Sequence, residues 1–222
     1  MNFPAETLRF LRALKRNNRR EWFEAHRGDY ESAVRQPMTA IVERLAVDLR
    51  AFAPELVASP KVSIYRIYRD TRFSGDKKPY KTHIAAVFPT RGLAKHEGAG
   101  AYFHVAPDEV WIGGGMYSPQ PPQLYAVRRH IAGHLRQLRA IVESPGFRTH
   151  LGALEGDKLK RVPRGFAREH PAAEYLKHTH FIAGAGFPAS LASSPKFYKT
   201  LLTVFRQITP LARFLNAPLL KG

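Results

Sequence analysis

The stretch RIYRDTRFSGDKKPYKTH, residues 66–83, sets Arg66, Arg69, Arg72, Lys77, Lys78 and Lys81 against two carboxylates, Asp70 and Asp76. Guanidinium groups present planar forks of donors that match phosphate or carboxylate, and lysines add mobile point charges. Ser74 supplies a hydroxyl donor and Gly75 permits a sharp turn. The chemistry expected of this segment is the holding of a multiply charged anion, a phosphorylated metabolite or a nucleotide. Arg66, Arg69 and Arg72 would clamp it, Lys77 and Lys81 would neutralise it, and Tyr80 or Tyr102 would position it.

Acid–base chemistry at such a site would fall to His104, in the run AYFHVA, with Asp70 orienting an arginine or accepting a proton. A carboxylate paired to several arginines is a poor base, which counts against Asp70 in the second role. The competing reading of the segment is plain: Asp70 and Asp76 pair with neighbouring arginines, and the lysines solvate a loop. Exposed pairs add little stability, so the concentration of charge favours the anion site.

Two further readings belong to other classes. The chain holds 35 Lys and Arg against 18 Asp and Glu, a formal net charge of +17, which favours polyanions. A nucleic-acid-binding module would track phosphates with these cations and stack bases on Tyr65, Tyr68, Tyr102 or Trp111. A scaffold for an acidic protein partner uses the same charge.

Other constellations carry less. His130 and His134 stand at i, i+4, a metal-pair spacing, but Ile131 occupies the position where a zincin helix carries glutamate. His178 and His180 lack an obvious third ligand, and no metal is expected. The absence of cysteine removes disulfides, thiolate zinc sites and thiol nucleophiles. The run AGAGF at 183–187 lacks the third glycine and the context of a dinucleotide fingerprint, and neither a GK[ST] loop nor a G-x-S-x-G elbow occurs. No cofactor or reaction is assigned.

The elements that must position these residues can be read from periodicity. Pro4 opens a helix with Leu8, Leu11 and Leu14 on one side, and the Asn pair at 17 and 18 stops it. Asn18 with Glu21 has the spacing of a capping box, Asp29 can cap a third helix, and Pro37 is expected to kink or break it. From Lys61 the pattern turns to short β-prone runs, KVSIYRIY, THIAAVF, AYFHVA and EVWIGGG. After YSPQPPQ comes one long amphipathic helix carrying Leu124, Val127, Ile131, Leu135, Leu138 and Val142. Residues 145–177 read as irregular, HTHFIAG as one more strand, and Ser194 with Pro195 as the start of a last helix.

The fold class is therefore α+β: a single domain whose antiparallel β-meander packs with N-terminal and C-terminal helices. Residues 1–55 form the helical part, 61–115 the sheet, and 120–216 a mostly helical part. A 44% hydrophobic share is ample for one core and argues against disorder. No run approaches the roughly 20 apolar residues of a membrane span, and the first residues read as an amphipathic helix without a signal peptide's apolar region. A cytoplasmic location is expected.

Four separated stretches also resemble a known family: the 66–83 run, GGGMYSP, VPRGFAREHPAAEYLKHTHF and NNRREWFEAHRGDYE. They are similar to the signatures of a bacterial and fungal family labelled as domain of unknown function 2461. The resemblance runs from about Phe3 to the last helix. It implies a compact cytoplasmic α+β domain and carries no catalytic residue or cofactor over to this sequence.

Overall fold

A computed structural model of the chain describes residues 1–220. The chain opens with α1 (Ala5–Arg16), whose Thr7, Leu8, Phe10, Leu11 and Leu14 are buried. It stops where predicted: both the amide and the side chain of Asn17 return to the Ala13 carbonyl. α2 (Arg20–Ala25) follows, but Asn18 does not cap it. The Asn18 side chain reaches across the fold instead, donating to the Tyr80 carbonyl (2.9 Å) and accepting from the Tyr80 amide (3.1 Å).

Pro37 does not break the third helical stretch. α3 (Arg27–Tyr30) runs into a π-helical turn (Glu31–Arg35) and on into α4 (Gln36–Asp48). A proline has no N–H for the carbonyl four residues back, here that of Ala33. The hydroxyl of fully buried Thr7 donates to that carbonyl and so replaces the missing partner. The wide turn absorbs the ring, and the helix continues.

The sheet is antiparallel throughout, in the order β1 (Ile84–Pro89), β2 (Gly100–Val105), β3 (Glu109–Met116) and β4 (Phe181–Pro188). The run KVSIYRIY is not one of its strands. Ser59 and Pro60 start a helical turn, α5 (Pro60–Ser63), closed by the Ser63 hydroxyl, which accepts the Ser59 amide and donates to the Val57 carbonyl. The N-terminal proline signal outweighs the β-branched pattern here. What remains of the expected pairing is two isolated bridges, Ile64 with Ala86 and Tyr68 with Tyr80. The extra strand does form, displaced to begin at Phe181.

The expected long helix is two, α6 (Pro121–Gly133) and α7 (Leu135–Val142), parted at His134, whose φ of −131° is not helical. Gly133, the weakest helix former there, immediately precedes the break. Residues read as irregular supply α8 (Pro145–Leu151), capped by Ser144, and α9 (Ala173–Leu176). The last helix, α10 (Phe197–Asn216), lies against one face of the sheet.

Phe88 and Phe103 from that face meet Phe205, and Phe103 also meets Phe197, at ring separations of 5.3 to 6.5 Å. α10 is pinned at its end by buried Asn216. Its side chain donates to the Thr90 hydroxyl and the Ala99 carbonyl and accepts the Ala99 amide, at 2.8 to 2.9 Å. Thr90 and Ala99 bracket the β1–β2 connection. Among the described residues no helix is long and apolar enough to cross a membrane.

Candidate functional site

Alternation along the strands sends Ile84, Ala86 and Phe88, Phe103 and Val105, Val110 and Ile112 into the core. The residues between them face the other way. Register places them in cross-strand rows: Ala85, His104, Trp111 and Gly186; then Val87, Tyr102, Gly113 and Gly184; then Pro89, Gly100, Gly115 and Ile182. This second face holds a cavity of about 760 Å³, whose lining includes Tyr65, Lys81, His83, Lys95, His96, Tyr102, His104 and Trp111. That size falls within the roughly 300 to 1,000 Å³ of small-ligand sites.

Two cations enter it from the β1 side. Lys81 precedes β1, and its ammonium donates to the Arg66 carbonyl at 3.0 Å. Lys95 lies in the β1–β2 connection and donates to the Val62 carbonyl at 2.6 Å. Both ammonium groups sit over the Tyr65 ring, 5.2 and 4.4 Å from its centroid. Burial lowers the pKa of both, and for Lys81 the charges of Arg66 and Lys95 lower it further. No carboxylate is among the described residues lining the cavity.

The floor carries a short polar chain. The Tyr102 hydroxyl lies 3.1 Å from Nδ1 of His104, whose Nε2 lies 3.4 Å from a carboxylate oxygen of Glu109. Burial raises the pKa of Tyr102 strongly, keeping the phenol protonated, so it donates to Nδ1 and leaves Nε2–H to face Glu109. Burial holds His104 below its usual range against the opposing pull of Glu109. His83, 5.4 Å from His104 ring to ring, is pushed down to about 4, chiefly by burial and then by His104 and Lys81. Tyr102, His104 and His83 are therefore uncharged near pH 7.

The predicted residues divide between two places. Lys81, Tyr102 and His104 line the cavity. Arg66, Arg69, Arg72, Ser74 and Lys77 do not. Arg69 pairs with Asp76 and Arg72 with Asp70, each at 2.7 Å, and Lys77 donates to the Thr71 carbonyl. The Arg72 contact holds Asp70 down at about 2, so its carboxylate is a weak base. Tyr80 is buried and stacked on Phe23 with centroids 4.2 Å apart, which makes it the root of the segment in the core.

His83, Lys95 and His96 escaped sequence reasoning, which names Tyr65 and Trp111 only as base-stacking residues of a nucleic-acid module. One signal for the site was available. Glycines recur at alternate positions on the open face, 113 and 115 in β3 and 184 and 186 in β4. Gly115 has φ of +121°, and a Cβ there would lie 2.0 Å from the Phe181 carbonyl oxygen, so only glycine fits.

The histidine pairs are placed otherwise, and the buried Nδ1 of His178 has no hydrogen-bond partner among the described residues. His130 and His134 stack on each other at 4.2 Å, and Nδ1 of His134 contacts the His130 carbonyl at 2.9 Å. His180 Nε2 accepts the Asp157 amide at 3.2 Å. Among the described residues no three His, Asp or Glu side chains are grouped to hold a metal ion.

No curated protein and no solved structure matches the chain. The family model described as a conserved hypothetical protein, domain of unknown function 2461, matches residues 6–214, and the chain belongs to that family.

Proposed function

We propose that the protein binds a small anion, a phosphorylated metabolite or a nucleotide, in the cavity on the open face of the sheet. One observation carries this reading. Lys81 and Lys95 converge on one ring in an enclosure whose described lining holds no carboxylate, so their charge is left for a ligand. A partly buried cation without a counter-charge is costly, and an anion offsets that cost. Tyr102 and His104 form the floor, their own donors turned to Nδ1 of His104 and to Glu109, and the arginines of the 66–83 segment provide a positive approach rather than direct ligands.

Thermal shift tests it. Inorganic phosphate and AMP should raise Tm in proportion to the logarithm of their concentration above Kd. The double variant Lys81→Met, Lys95→Met should abolish that rise, while Arg72→Ala should leave it intact. A rise that survives the double variant, or no rise with any anion, overturns the reading.

One observation favours a second reading. Phe73 is 95% exposed with the Arg72 guanidinium 5.7 Å from its ring, the pairing of aromatic and cation that suits single-stranded nucleic acid. In that case oligonucleotide affinity falls steeply with salt, with each removed cation flattening the log–log slope by about 0.7.

A further inference from the structure

Trp111 lies flat on the sheet because two glycines make room for it. Gly113 stands two residues along β3 on the same face, and Gly184 is its partner on β4. A Cβ at Gly113 would come within 2.7 Å of the indole, and one at Gly184 within 2.4 Å. The ring therefore covers the place where two side chains would stand. Both glycines also back onto β-strand carbonyls, so the gap is fixed by backbone. His104, the cross-strand neighbour of Trp111, lies nearly parallel to it at an interplanar angle of 13°, and Tyr102 closes a second side at 5.8 Å. A half-buried indole spread over bare strands, with its upper face toward a cavity, is a stacking platform.

Its place relative to the cations decides what it stacks. Lys81 and Lys95 enter beside β1, and Trp111 stands on β3, two strand spacings or about 10 Å across the sheet. Tyr65 and Tyr102, 6.4 Å apart, form the wall between them. A ligand that uses both ends has a flat ring at one end and its anionic group at the other.

We infer that the cavity takes a nucleoside phosphate, with the base stacked on Trp111 and the phosphate between Lys81 and Lys95. This rests on the anion-binding reading and narrows it to one ligand class. Sugar phosphates and inorganic phosphate would reach the lysines but leave the indole uncovered.

The test compares AMP, ribose 5-phosphate and inorganic phosphate by calorimetry and by tryptophan fluorescence. The two tryptophans are Trp22 and Trp111. Trp22 packs on His26 at 4.1 Å, so Trp22→Phe keeps a ring there and leaves Trp111 as the reporter. AMP should quench that signal and bind about 5- to 150-fold more tightly than ribose 5-phosphate, the usual contribution of one stacked base. Trp111→Leu should bring the two ligands to equal affinity, and Trp111→Tyr should restore most of the difference. The affinity gap is read on the parent chain as well, so it does not depend on any variant folding.

Equal affinity for AMP and ribose 5-phosphate in the parent chain overturns the stacking inference, while a phosphate-induced rise in Tm lost with the two lysines still upholds the anion site. A gap that persists in Trp111→Leu overturns the assignment to that ring. Failure of all three ligands to bind removes both readings.

Discussion

In the 66–83 segment each anchored arginine meets a carboxylate of its own loop, Arg69 with Asp76 and Arg72 with Asp70, whereas in the cavity Lys81 and Lys95 meet a tyrosine ring and two backbone carbonyls. The segment has the greater density of cations and the cavity the greater unmet charge. A basic run in a sequence counts charges, but a ligand responds to those that the fold leaves uncompensated. The two regions also differ in what holds them. The segment hangs from a core residue at one end and reaches solvent at Phe73, while the cavity is built on paired strands.

The largest expected effect separates the root of the segment from its tip. Tyr80→Ala removes a buried ring stacked on Phe23 and should cost about 3–5 kcal/mol in urea unfolding. Phe73→Ala, at the exposed end of the same segment, should change stability within error. Equal effects at the two positions would dissolve the distinction between root and tip.

Next comes pH. His83 and His178 both have their pKa pushed down to about 4, in each case mainly by burial, against an ordinary value near 6.5. The unfolded chain therefore binds protons that the folded chain refuses between those values. Stability is full above about pH 6.5 and falls as pH drops toward 4, by up to about 1.4 kcal/mol per pH unit for each histidine. Urea midpoints from pH 7 to 4.5 measure the slope, and His83→Gln should flatten it. A slope unchanged in that variant would show that the cavity floor accommodates a charged imidazole.

The smallest effect tests the tie between the regions. Asn18→Ala strips both side-chain hydrogen bonds from the Tyr80 backbone and should cost about 1–3 kcal/mol. Because Lys81 follows Tyr80, the same substitution should also weaken phosphate binding. Lost stability with unaltered binding would mean that the lysine is positioned by β1 alone.

Much of the fold was legible because it rests on local signals. Alternation in THIAAVF, AYFHVA and EVWIGGG marked β1, β2 and β3, and the spacing of Leu8, Leu11 and Leu14 marked α1. The misreadings arose where a local pattern met a stronger constraint. Pro60 turned the start of KVSIYRIY into helix, and Thr7, distant in sequence, met the carbonyl that Pro37 leaves without a donor. The site was legible only in part. Lys81, Tyr102 and His104, singled out by residue type, line the cavity, but the pairing of Arg69 and Arg72 depends on the path of the 70–80 turn, which periodicity does not describe. Lys95 and His96 sit in a connection with no pattern, and only the strand pairing brings them opposite Tyr65.

The clasp formed by Asn216 has a consequence for hydrogen exchange. It holds the Ala99 amide from the far side of the molecule, at the base of the connection that carries Lys95. That proton can reach solvent only when the last turn of α10 lets go of the connection, so its exchange reports an opening of the cavity wall rather than a ripple in a loop. An anion held on Lys95 should slow this one amide, although it touches neither Ala99 nor Asn216, and the end of the helix then serves as a remote gauge of cavity occupancy.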